Sequence, residues 1–289
     1  MTLEQLRIFV FVAERTHMTR AADALHITQS AASAGVAALE SRYGVRLFDR
    51  VGRGLALSEA GRVFLPEAKA VLARAASAAQ ALDDLAGLKR GSIAIAASQT
   101  VSNYWLPSRL ARFAQAHPGV GLSLTVGNTT QVAQAVLDGD AELGFVEGDV
   151  DHPALARTRV AGDRIALYAA GRHPLAGAPT RAEDLPRLQW VLREPGSGTR
   201  SAFEHALQAQ EIGIDALQVV LELPSNEAVL EAAATGGFVT AVSELAAQPW
   251  VSAGRLARLA FDLPPRAFEL LTHKERRRSH AAAAFLAQT

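Results

Sequence analysis

Two hydroxyl-rich clusters stand out in this 289-residue chain for the chemistry they can do. Ser98-Gln99-Thr100 and Ser197-Gly198-Thr199 each lie where a short apolar run gives way to a helical pattern. A helix start leaves backbone N–H groups unpaired and favours negative charge, so two such starts facing one cleft make an anion site. The alternative is that Ser98, Thr100, Ser197 and Thr199 only cap their helices. A third polar cluster, Gln29, Ser30 and Ser33, follows the cap candidate Thr28, and short polar groups at that spacing can meet base edges and phosphates in a DNA major groove. Motifs for catalysis are missing. The chain holds no Gly-x-Ser-x-Gly elbow, Walker A loop or dinucleotide fingerprint, and Pro195-Gly196-Ser197-Gly198 lacks the lysine of a phosphate-cradling loop. The eight histidines show no paired ligand spacing and there is no cysteine, so neither a metal site nor a cofactor is expected.

The N-terminal elements position the third cluster. Leu3, Leu6, Phe9, Val10 and Ala13 recur at helical spacing and predict a first helix. A second begins near Thr19, whose hydroxyl is a cap candidate, and runs through Ala21, Ala22 and Leu25. The chain turns at His26-Ile27, and Thr28 opens a third helix to Glu40. Its inward face is Ala32, Val36 and Leu39, which leaves Gln29, Ser30 and Ser33 outward. Residues 46–57 then read as a hairpin, with Arg50 on one arm and the glycine-flanked Arg53 at its tip, aimed at a phosphate or the minor groove. Each feature has a plainer reading: two packed helices, and a solvated basic loop.

Charge is balanced overall, with 29 basic and 29 acidic residues. Residues 1–65 hold eight arginines against six acids, a net of +2, so the whole-chain balance is a poor guide to nucleic-acid binding. Glu4, Arg7, Glu14 and Arg15 interrupt the first apolar stretch, which argues against an export signal and for a cytoplasmic location without a membrane span. From 59 to 89, Leu65, Leu72, Ala75, Ala79, Leu82 and Leu85 form a stripe on one long helix. Such a stripe packs either on a partner helix or on its own chain. Residues 87–91 (GLKRG) are the natural hinge.

Beyond Gly91 the pattern becomes alternating strands and helices, which predicts mostly parallel α/β sheets with ligands at the carboxyl ends of the strands. Two such blocks, about 90–161 with 267–289 and about 162–266, predict two lobes flanking a cleft. Asn128, Thr129, Glu147, Asn226 and Thr240 sit at further strand ends and are secondary candidates for its lining, while Arg200 either offsets an anion's charge or pairs with a neighbouring acid.

Residues 3–66 resemble the DNA-binding domain of LysR-type transcriptional regulators, through ALHITQSAASAGVAALE (24–40), YGVRLFDR (43–50) and LSEAGRVFLPEA (57–68). The resemblance implies a winged helix-turn-helix in residues 1–58, with Thr28, Gln29, Ser30 and Ser33 on the recognition helix and Arg50 and Arg53 on the wing. It implies a linker helix over 59–89 that pairs antiparallel with a second copy, and a tetramer beyond that dimer. Ala32 and Val36 are smaller than the family's usual aliphatics there. SQTVSNYWLP (98–107), REPGSGTR (193–200) and SNEAVLEAAATG (225–236) resemble the effector domain of a subgroup associated with sulfur, nitrogen or carbon assimilation. That likeness implies a two-lobed fold similar to periplasmic binding proteins over 90–289, with a small anionic effector lined by Ser98, Thr100, Ser197, Gly198 and Thr199. The expectation is therefore a regulator bound to double-stranded promoter DNA and controlled by that effector. A solute-binding protein without a regulatory role, or an enzyme using the cleft, is the alternative.

Overall fold

The computed structural model describes residues 1–51, 54–85 and 91–289. Arg53 and the hinge residues 87–90 therefore lie outside the described residues. The chain forms two compact units, residues 1–85 and 86–289.

In the first unit, α1 (Leu3–Arg15) starts from a reciprocal cap: Gln5 N–H donates to Thr2 Oγ1, and Thr2 N–H to Gln5 Oε1. Leu6, Phe9, Val10 and Ala13 are buried as the spacing predicts, whereas Leu3 is 51% exposed because it occupies the first turn, ahead of the core. Helix α2 (Met18–Ala24) is capped by His17, whose Nδ1 accepts from Arg20 N–H at 3.4 Å, and not by Thr19, which lies inside the helix. Helix α3 (Gln29–Tyr43) is capped by Thr28 through Ala31 N–H and stops at Gly44, whose φ of 65° suits glycine. Strands β1 (Phe48–Val51) and β2 (Gly54–Leu57) pair antiparallel. Helix α4 (Glu59–Leu85) follows, and Phe64 and Phe48 both stack on Phe9. A Cβ on Gly61 would sit 2.1 Å from Leu47 O, so only glycine lets α4 leave the hairpin at this point.

The second unit is built on one continuous sheet path, β4 (Val120–Gly127), β3 (Gly91–Ser98), β5 (Leu143–Glu147), β11 (Pro265–His273), β6 (Leu155–Ala170), β9 (Phe238–Ser243), β7 (Gln189–Arg193) and β8 (Gln218–Leu223). In lobe I, β3 (Gly91–Ser98) lies parallel between β4 (Val120–Gly127) and β5 (Leu143–Glu147). Helices α5 (Pro107–Ala116), α6 (Thr129–Asp138) and α10 (His280–Ala287) cover it. The inner strands β3 and β5 are buried on both faces, Ile93, Ile95 and Phe145 on one and Ala96 and Val146 on the other, as expected of a parallel sheet, while β4 at the edge is largely exposed. In lobe II, β7 (Gln189–Arg193), β8 (Gln218–Leu223) and β9 (Phe238–Ser243) are parallel, packed by α7 (Gly198–Gln208), α8 (Asn226–Ala234) and α9 (Glu244–Ser252).

Two long strands join the lobes. Strand β6 (Leu155–Ala170) serves lobe I with its first half, then pairs with β9 and β10 (Leu256–Arg258) in lobe II. Strand β11 (Pro265–His273) runs antiparallel between β6 and β5, placing Arg266 opposite Asp163 and Phe268 opposite Glu147.

Candidate functional site: a reading helix and an interlobe cleft

On α3 the inward and outward faces separate as the spacing predicts. Ala32, Val36 and Leu39 are buried, while Thr28, Gln29, Ser30 and Ser33 are exposed together. The helix is held at a fixed angle to the hairpin, because Glu40 Oε1 accepts from both Leu47 N–H (2.7 Å) and Phe48 N–H (3.3 Å). Arg50 is exposed on β1. The result is a polar helix face beside a basic hairpin, on a rigid core.

In the second unit, the predicted cleft residues do converge. Ser98, Thr100, Thr129, Glu147, Ser197, Thr199 and Asn226 are all buried at the contact between the lobes. Among the described residues, none of the four hydroxyls at 98, 100, 197 and 199 caps its own helix. Ser98 Oγ donates to the Glu147 carboxylate. Thr100 Oγ1 accepts from Asn226 Nδ2 at 3.1 Å, and Thr199 Oγ1 accepts from Arg266 Nη1 at 3.1 Å. Ser197, at the start of α7, is 2% exposed, and its hydroxyl makes no hydrogen bond among the described residues. Capping is done elsewhere: Asn128 caps α6 through Gln131 N–H, while its Nδ2 reaches Glu194 of lobe II at 3.3 Å. After Ser98 the chain does not enter a regular helix at once but makes a π-helical turn, Val101–Trp105, before α5. Thr240 is buried within β9, and its hydroxyl has no hydrogen-bond partner among the described residues.

The centre of this contact is a residue that the sequence pattern does not single out. Arg266 chelates Asp163 with Nε and Nη2 (2.6 and 3.0 Å), and its outer edge donates to Thr199 of lobe II and Thr100 of lobe I. Glu147 Oε1 stands 3.7 Å from Nη1. Ser243 Oγ closes the far side of Asp163 at 2.5 Å. Arg266 is also among the residues that line two open cavities of about 270 and 410 Å³. Arg193, also buried, pairs with Glu194 and donates to Asn226 Oδ1 at 2.8 Å. Arg200 turns to Glu204 and Glu222.

Gly198 explains how closely the lobes approach. A Cβ there would lie 1.6 Å from Glu147 O and 2.5 Å from Thr129 Oγ1, so the start of α7 rests directly on the end of β5. A second set of polar contacts runs along the π-helical turn. Asn226 N–H donates to Gln99 Oε1 (2.8 Å), and Tyr104 Oη donates to Glu227 Oε1 (3.0 Å). Burial, reinforced by the Glu227 carboxylate, pushes the Tyr104 phenol up to about 12. Among the described residues there is no cluster of histidines and carboxylates fit for a metal ion, and no helix long and apolar enough to cross a membrane.

A reading helix with its hairpin, and a separate two-lobed unit closed over a polar contact, define a transcription regulator with a sensing domain. The comparisons agree. Residues 3–62 match the family of bacterial regulatory helix-turn-helix proteins of the lysR type, and residues 86–289 match the LysR substrate binding domain. The chain belongs to the LysR family of transcriptional regulators. It is 34% identical to the HTH-type transcriptional regulator YeiE of Escherichia coli K12 over 287 residues, which is 99% of this chain and 96% of that one. It is 33% identical to the RuBisCO operon transcriptional regulator of Allochromatium vinosum, covering 98% and 94%. Among solved structures, the fold matches full-length CbnR complexed with its target DNA, at a TM-score of 0.69 and 22% identity, over 100% of this chain and 98% of that one. The second unit matches the regulatory domain of Synechocystis PCC6803 CcmR in complex with 2-PG, at a TM-score of 0.61 and 27% identity, over 68% and 95%.

Proposed function

We propose that this regulator is a cytoplasmic, non-enzymatic switch whose hold on promoter DNA is set by a small anion bound between the lobes, at the helix starts after Ser98 and Ser197. The observation that carries this reading is that the hydroxyls of Ser98, Thr100 and Thr199 turn to the interlobe contact around Arg266 and that buried Ser197 leaves the start of α7 uncapped. The first-turn N–H groups of α7 then keep their partial positive charge for a ligand. Gly198 brings that helix end against the other lobe, and Asn128, Thr129, Glu147 and Asn226 complete the lining. The binding of 2-PG by CcmR supports the anionic class. Lobe closure on the anion shifts the packing between effector domains, and with it the spacing of the recognition helices on DNA. In this scheme residues 1–58 read DNA, 59–89 join two copies, and 90–289 sense, with a tetramer as the working assembly.

The test is a thermal-shift titration of the full chain with phosphate, sulfate, 2-PG and small carboxylates. At about a hundred times its Kd, a ligand of the folded state adds roughly 2.7 kcal/mol. At least one anion is expected to raise the melting temperature, and the Ser98→Ala, Ser197→Ala double variant to lose that response. Indifference of the wild type to all of them, or an intact response in the double variant, overturns the reading. On the DNA side, Gln29→Ala is expected to relax preference for the operator over random duplex, measured by competition at fixed salt, whereas an equal loss on both sequences removes Gln29 from base reading.

A further inference from the structure

One of the residues that line the proposed anion site, Glu147, is itself an acid. Glu147 ends β5, is 1% exposed, accepts the Ser98 hydroxyl's hydrogen bond and faces the outer edge of Arg266 at 3.7 Å. Its backbone is fixed on both sides, since its carbonyl accepts from Thr129 Oγ1 at 2.6 Å and touches the start of α7 at Gly198. Only the side chain is free to move. Arg193 is held by Glu194, Arg200 by Glu204 and Glu222, and Arg157 by Glu269, whereas Arg266 is the arginine that faces Glu147. Arg266 is thus the guanidinium an entering anion meets, and its inner edge is already neutralised by Asp163. With the Glu147 carboxylate in place, an anion arriving at the same hydroxyls would meet a like charge at close range, which disfavours its binding.

We propose that Glu147 is a built-in stand-in for the effector: its carboxylate occupies the anion position at Ser98 and Arg266, and an effector binds by turning it out. This rests on the interlobe anion site proposed above. A tethered carboxylate competes at high effective concentration, so an ordinary monocarboxylate, with the same two oxygens, gains nothing by replacing it. A tetrahedral oxyanion can. It offers three or four oxygens, enough to engage Ser98, the idle Ser197 hydroxyl, the α7 N–H groups and Arg266 together. The site therefore selects phosphate- or sulfate-type groups over carboxylates, with Glu147 as the residue that sets the selection.

The experiment is calorimetric titration of the full chain, wild type, Glu147→Gln and Ser197→Ala, with inorganic phosphate, sulfate and acetate. The wild type is expected to bind phosphate or sulfate and to ignore acetate. Glu147→Gln is expected to bind the oxyanions tighter by on the order of tenfold, and to acquire acetate binding, because removal of one like charge favours every anion. A role for Glu147 confined to holding the fold would weaken all three. Unchanged or weaker oxyanion binding in Glu147→Gln, with Ser197→Ala still losing affinity, overturns the stand-in role and leaves the site standing. Unchanged affinity in Ser197→Ala overturns the site, and the stand-in with it. Should Glu147→Gln not fold, a crystal of the wild type soaked in sulfate decides: sulfate at Arg266 with Glu147 off Ser98 supports the proposal, and sulfate bound there with that contact intact defeats it.

Discussion

Arg266 holds Asp163 beside it on the neighbouring strand and reaches Thr100 and Thr199 across the lobes, so its charge is satisfied only while all of these stay in place. Taking the carboxylate away leaves the buried guanidinium with only the more distant Glu147 to offset its charge, and we expect Asp163→Asn to cost about 3–5 kcal/mol, read from the urea midpoint at constant slope. A loss under about 1 kcal/mol would mean that the arginine turns to solvent in the variant. Tyrosine titration offers a second residue-level check. Burial, with Glu244 adding to it, pushes Tyr168 up to about 12, as burial and Glu227 do Tyr104. A phenol whose folded value is raised stabilises the fold fully below its ordinary value of 10.0, and that stability is lost as pH rises towards 12. Absorbance at 295 nm should therefore show two of the three tyrosines ionising late in the folded chain, and Tyr104→Phe should remove one of these late steps.

At the scale of elements, α7 and β5 meet backbone to backbone, and no side chain can yield between them. We expect Gly198→Ala to lower the melting temperature by the equivalent of about 1–3 kcal/mol and to blunt the response to anions together, since the lobes must part to admit one methyl. An unchanged melt would show that the contact at Glu147 opens freely. The long helix α4 divides its labour in a way that its apolar pattern leaves unspecified. Leu65 and Leu72, expected on the partner-facing stripe, are half-buried against the helix-turn-helix core with Phe64 and the fully buried Ala68. Val63 (69% exposed), Val71 and Leu82 (70% exposed) are the large apolar side chains that its described part leaves to water. Helical spacing shows which residues share a face, but α1, β1 and α4 reach the same core from different directions, and that choice is tertiary.

For the whole molecule, residues 1–85 and 86–289 are separate compact units, and the proposed assembly of copies is what would couple them. A net of +2 over residues 1–65 and three short polar side chains make a weak reader alone, so tight binding needs at least two copies. We expect Val71→Glu with Leu82→Glu to shift the mass in solution towards the monomer, by light scattering, and to weaken operator binding by at least tenfold while the circular dichroism stays unchanged. A full-mass oligomer in that variant would move the dimer contact off α4.

The amino-acid sequence by itself determined the local units: three short N-terminal helices with the face of Gln29, Ser30 and Ser33 outward, the hairpin, the long linker helix and two α/β blocks. These follow from periodicity, caps and turn glycines, which act over a few residues. It also placed Ser98, Thr100, Ser197 and Thr199 at strand ends, where a cleft was expected. What those hydroxyls do was decided by the tertiary structure. Arg266 finds partners 67, 103 and 166 residues away along the chain, and Glu147 meets Ser98 across 49. Such pairings depend on the register of β6, β11 and β5, which no local pattern encodes. An arginine directly after the pair Pro264-Pro265 reads as surface until the strand beside it supplies the acid. Burial of charge is a property of the closed lobes, because only there does the loss of water force each ionised group to find its counterpart.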